Sequence, residues 1–183
     1  MERLAEAVPG AVRRTLALLA ARGEAVAKAN ATTVLHVRSG RLRASIGSEV
    51  EATPTGHDLI YRAGAQTGRG SVSYARLQEL GGTVRPVSAR YLAIPVGPAK
   101  TPAGVSRWAS PRDAGFPLRF VPTRSGGLLV RDTGKGKARR SVVYYVLRAS
   151  VTIPARPYLR PAAEAAAQAL PDVLLTELVR GAA

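Results

Sequence analysis

The sequence predicts an α+β fold, a mostly antiparallel sheet packed by an N-terminal and a C-terminal helix, with long loop insertions. Three observations predict it. Apolar residues recur at spacings of three and four near both chain ends, they alternate with polar residues in several short runs between, and Gly- and Pro-rich turns of hairpin length separate those runs. Helices layered on antiparallel strands bury both patterns at once. All 183 residues are expected in one such domain.

The first helix is predicted over residues 9–33. Pro9 suits a first helical turn, and Val12, Leu16, Leu19, Gly23 and Val26 form a single stripe. A glycine there costs about 1 kcal/mol relative to Ala, so close approach of a neighbour to the helix backbone is the expected compensation. From Ala44 the period becomes two, with Ala44, Ile46 and Val50 on one face and Ser45, Glu49 and Glu51 on the other. Residues 54–58 read as a turn, and Leu59, Tyr61 and Ala63 as the returning strand of a hairpin.

Ser73 is placed to cap a short helix carrying Tyr74, Leu77 and Leu80, which Gly81 ends in the left-handed conformation. A strand follows over residues 90–96. Residues 97–117 hold seven Gly or Pro and the single Trp, Trp108, too long an excursion for a simple connector. Leu118, Phe120, a turn over 122–127, then Leu128 and Val130 make a second hairpin. The segment 133–140 is the densest in positive charge, and it and 97–117 are expected to protrude and become ordered on assembly. Val143, Tyr145, Leu147, Ala149, Val151 and Ile153 then form one uninterrupted apolar strand face. A last helix starts near Tyr158 with Leu159, Ala163, Ala166, Leu170, Leu174 and Leu178 on one side, kinked or split by Pro171.

Lys and Arg number 27 against 12 Asp and Glu, a formal charge of +15. Arg supplies 23 of those cations, the side chain suited to bidentate contact with carboxylate or phosphate. Residues 85–160 hold 15 basic and 2 acidic side chains, a field that repels its own copies and attracts an acidic partner or nucleic acid. With no cysteine, disulfides, thiolate catalysis and Cys-based zinc sites are excluded. No uncharged run approaches the roughly 18 residues of a membrane span, and the chain reads as used without export through a signal peptide.

An enzyme needs a constellation, and none forms here. His36 and His57 are 21 residues apart, no acidic pair suits acid–base or magnesium chemistry, and the Gly-Arg-Gly-Ser and Gly-Lys-Gly-Lys runs at 68–71 and 134–137 complete no phosphate-loop pattern. No catalytic residue, cofactor or metal is expected. Arg131, Lys135, Lys137, Arg139 and Arg140 can instead track a phosphate backbone or an acidic partner, or simply form a solvated hairpin tip.

Three segments resemble a known family. Residues 37–46 (VRSGRLRASI) look like the run into the first strand of the tailed-bacteriophage virion morphogenesis and tail-component proteins. Residues 74–86 (YARLQELGGTVRP) with 89–96 (ARYLAIPV), and residues 153–162 (IPARPYLRPA), are similar to that family's central block and to the segment opening its last helix. The order and spacing span residues 35–165.

The resemblance implies a structural virion protein of the neck or tail, assembled in the host cytoplasm. It implies a ring, commonly a hexamer, that joins head to tail or completes the tail, beside connector, tail-terminator or tail-tube proteins and around lumenal DNA. Six copies would gather a formal charge of about +90, which demands acidic neighbours, DNA or both. Candidate subunit or partner contacts are Arg41, Arg43, Arg90, Trp108, Arg156 and Arg160. Arg156, between Pro154 and Pro157, is held extended, suited equally to a carboxylate on a neighbouring subunit and to an intramolecular tie. The alternative function is non-sequence-specific nucleic-acid binding.

Overall fold

The structure is a computed structural model that describes residues 2–35, 40–64, 72, 74–134 and 136–182, without the side chains of 2–7, 137 and 182. The α+β class holds: long helices begin and end the chain, and every strand pair between them is antiparallel. The chain divides into two compact units, one from Met1–Gly81 with Pro154–Ala183, the other Gly82–Ile153.

In the first unit α1 (Glu2–Thr33) begins earlier than predicted, with Pro9 inside it, where proline has no N–H to give to the preceding turn. Its buried face is Ala11, Thr15, Leu16, Leu19, Gly23, Ala27 and Ala31, spaced mainly by four, so that Leu16, Leu19 and Gly23 of the predicted stripe lie inside. Val26, placed on the stripe by the sequence, is instead 41% exposed. Small residues on that face let α4 (Arg160–Ala182) pack antiparallel to it. Arg14 Nε meets the buried Glu177 carboxylate at 2.7 Å near one end, and Asn30 Nδ2 donates to the Tyr158 carbonyl near the other. Helix α4 runs through Pro171 as one assigned helix. Its buried side chains include Ala162, Ala166 and Glu177, while Ala163 and Leu170, expected inside, are exposed.

Gly40, at φ 66, turns the chain into a one-turn helix, α2 (Arg41–Ala44), before the sheet. The first strand therefore starts three residues late, and Ala44 is exposed. Strands β1 (Gly47–Thr53) and β2 (Gly56–Arg62) pair across a two-residue loop, closed at Thr53↔Gly56, tighter than the predicted turn. One hairpin face meets α1. There Ser48 donates its N–H and hydroxyl to Glu24, and Tyr61 donates its hydroxyl to the Leu19 carbonyl at 2.6 Å. Val50 is exposed, contrary to expectation.

Helix α3 (Ala75–Leu80) ends at Gly81, whose φ of 68 is positive but whose ψ of −176 is extended rather than the left-handed helical cap expected, and Leu80 is exposed. Ser73, its expected cap, lies outside the described residues, as does His36. The core of this unit gathers Ala27, Ala31, Leu35, Leu42, Ile46, Val72, Ala75, Tyr158 and Ala162.

In the second unit β4 (Leu92–Pro95), β5 (Arg119–Thr123), β6 (Gly126–Thr133) and β7 (Arg140–Arg148) form one sheet in the order β4-β7-β6-β5, while β3 (Gly82–Val84) pairs separately with β8 (Val151–Ile153). The uninterrupted strand predicted over 143–153 is thus two strands. Both partners of β7 end at Arg148, Leu92 on one side and Gly126 on the other, so the chain leaves that ladder and continues against β3. A bulge also breaks its single face. Leu129 opposes Tyr145 and Val130 opposes Val143, leaving Tyr144 as the extra residue. Two consecutive tyrosines are thereby buried together, which strict alternation forbids.

Residues 97–117 fold over this sheet in short 3-10 turns, Gly97–Ala99 and Pro111–Ala114. Ser110 and Asp113 close a capping box on the second. Ala99, Trp108, Phe116 and Leu118 pack with Tyr144, Tyr145, Ala93 and Leu129.

Candidate interaction surfaces

The sequence-picked residues of the first unit lie at α2 and at the start of α4. Arg41 and Arg43 are exposed on α2, and Arg43 lines an open cleft of about 320 Å³ with Lys28, Thr32, Gly40 and Ala44. Arg156 stands in the extended Pro154-to-Pro157 segment. Its backbone N–H donates to the Gln78 carbonyl at 2.8 Å and its side chain is exposed. The intramolecular tie at this position is therefore made by the main chain. Arg160 opens α4 and pairs with Glu164 at 2.9 Å one turn on.

Glu79, which sequence reasoning passed over, organises this region. Its Oε2 accepts the N–H groups of Tyr158 (2.8 Å) and Leu159 (3.0 Å), and its Oε1 that of Arg160 (2.9 Å). These donors stand at the helix start, where no preceding turn supplies carbonyls and negative charge is favoured. A carboxylate from α3 thus caps α4 across 79 residues of sequence or more. Beneath the cap, burial pushes the Tyr158 hydroxyl up to about 12, with Glu79 adding to the effect. The signal was present as a Glu in one resembling segment and an uncapped helix start in another. Nothing local joined them.

The second unit carries 13 Lys or Arg against 2 acidic residues. Two of the picked side chains, one from each proposed role, converge there. The Trp108 ring meets Phe116 edge-on at 5.6 Å, and the Arg131 guanidinium lies over that same Phe116 ring, 4.1 Å from its centroid. Arg139 does not stand free. It reaches Asp132 at 2.6 Å, and Arg119 reaches the same carboxylate at 2.8 Å, with Ser141 donating its hydroxyl. Hydrogen bonds from Arg119, Ser141 and Arg139 hold the Asp132 carboxyl well below the usual carboxylate range, and Arg119 is raised in return.

Arg140 is exposed at the start of β7, opposite Thr133. Lys135 and the Lys137 side chain lie outside the described residues. Arg90 is distant from this group, at the other end of the strands, with its guanidinium 5.4 Å from the Tyr91 centroid. Among the described residues no three His, Cys, Asp or Glu side chains come together as metal ligands would. Set against protein-family models, curated proteins and solved structures, the chain matches none.

Proposed function

We propose that this chain is a structural virion protein that forms a ring at the phage neck or tail top, in head-to-tail joining or tail completion around the DNA path. The observation carrying this reading is the ordered resemblance of residues 37–46, 74–96 and 153–162 to the tail-component proteins. Support comes from the way two of those segments depend on each other, since Glu79 of one caps the helix that the other opens. The charge of +15 supports it as well, because such a surface calls for acidic neighbours or threaded DNA. Negative-stain imaging of the concentrated protein, alone and with isolated tails, tests the reading. Closed rings with a central channel are expected; a strict monomer under both conditions contradicts it.

The cation excess of the Gly82–Ile153 unit favours a second reading, non-sequence-specific nucleic-acid binding. A salt titration with duplex DNA separates the two, because binding by phosphate contacts alone weakens steeply with salt. Tight binding that survives physiological salt, without any oligomer, favours the second.

A further inference from the structure

The outer face of the β1–β2 hairpin and the Gly82–Ile153 unit carry opposite charge. In β1–β2, one face meets α1 and the other bears Glu49, Glu51, Asp58 and Arg62. Arg62 pairs with both glutamates, leaving this face net negative. Glu51 and Asp58 stand directly opposite each other in the register, an arrangement of like charges that destabilises a lone hairpin. Elsewhere the described carboxylates are engaged within the chain: Glu24 by Lys28 and Ser48, Glu79 at the α4 start, Asp113 at Ser110, Asp132 by two arginines, Glu164 and Glu177 by arginines. Asp172 is the exception among them.

Four arginines of the Gly82–Ile153 unit that meet no described carboxylate collect in one place. Arg148 is paired across its strands with Leu92 and Gly126, so Arg90 and Arg124, two residues before each, lie at that same end of the sheet. Arg148 Nη1 donates to the Ser125 hydroxyl in the β5–β6 turn, beside Arg124. Arg85 follows Val84, whose partner Val151 is three residues past Arg148. Between Arg85 and Arg90 the side chain of Val87 is fully exposed. Neither acidic residue of this unit serves these arginines, since Asp113 is used at Ser110 and Asp132 at the far end of the strands.

We infer that copies of this chain associate head to tail, the acidic outer face of the β1–β2 hairpin of one copy seating on the arginine end of the Gly82–Ile153 unit of the next. The inference rests on the ring reading above and names its contact. Charge complementarity selects a second copy over nucleic acid. A phosphate backbone would satisfy the arginines but leave the net negative hairpin face, with Asp58 opposite Glu51, without a partner, whereas a second copy serves both. Two different patches in contact make a heterologous interface, the kind that closes into rings.

Sedimentation velocity of the full chain, at about 50 and about 500 mM salt, tests this with three variants. The hairpin variant Glu49→Gln/Glu51→Gln/Asp58→Asn removes the Glu51–Asp58 repulsion together with two exposed Arg62 pairs that contribute little stability, and so keeps its fold, yet its self-association is expected to weaken about tenfold or more. Glu49→Lys/Asp58→Lys and Arg90→Glu/Arg124→Glu each lose association alone and regain it when mixed. A wild-type monomer at low salt, association unchanged in the hairpin variants, or no recovery on mixing overturns the inference. So does an arginine-end variant that assembles normally but loses affinity for duplex DNA, which makes that end a nucleic-acid surface. Closed rings that persist in imaging while the charge swap fails leave the ring reading standing and this contact wrong.

Discussion

Gly23 shows what a single residue settles. Its helix position argued for a close neighbour, and a Cβ built there would lie 2.1 Å from the Tyr61 hydroxyl, which donates to the Leu19 carbonyl one turn earlier. Ala is favoured over Gly in a helix by about 1 kcal/mol, but overpacking typically costs about 1–3 kcal/mol, and here the intruding ring is anchored. Gly23→Ala is expected to destabilise the protein by about 1–2 kcal/mol in urea unfolding. In a Tyr61→Ala background the same change becomes neutral or stabilising. The need for a neighbour was legible in the sequence because glycine mid-stripe is costly. Its identity was not, since alternation puts Tyr61 on a strand face without saying which helical turn it meets.

Between elements, the least legible contacts decide most. The Glu79 carboxylate holds three amides at the start of α4, and Glu79→Gln leaves one neutral oxygen to do so. A loss of about 1–2 kcal/mol is expected, with hydrogen exchange accelerating first at the amides of Tyr158, Leu159 and Arg160. Equal exchange at these amides in both proteins would deny the cap its role. The Asp132 cluster makes a pH-dependent contribution. Its folded carboxyl titrates below the unfolded value of about 3.9, so the stabilisation is present above about pH 4 and disappears as pH falls through the lowered folded value. Asp132→Asn should therefore unfold earlier than wild type at neutral pH, with the gap closing in acid and shrinking in high salt, because the cluster is exposed. A gap that persists in acid would mean that charge is not its source. Element types followed from periodicity; the break after Arg148 and the bulge at Tyr144 did not, because both arise from where partner strands end and slip.

Across the whole molecule, the sequence located the charge but not its division. A basic excess over residues 85–160 resolves into a unit, Gly82–Ile153, whose cations are partly committed: Arg119 and Arg139 to Asp132, Arg131 to the Phe116 ring. Of the side chains picked for polyanion contact, Arg140 is the one fully described that has no such commitment. Arg85, Arg124 and Arg148 were not picked, because their gathering at one sheet end depends on strand register. The ring proposal joins these facts to the resembling segments. Imaging intact tailed particles that carry a tagged copy of the chain tests that proposal at full scale. The proposal predicts label at the head–tail junction or tail top, symmetric about the DNA axis; particles that mature fully without the chain, and never carry it, would contradict it.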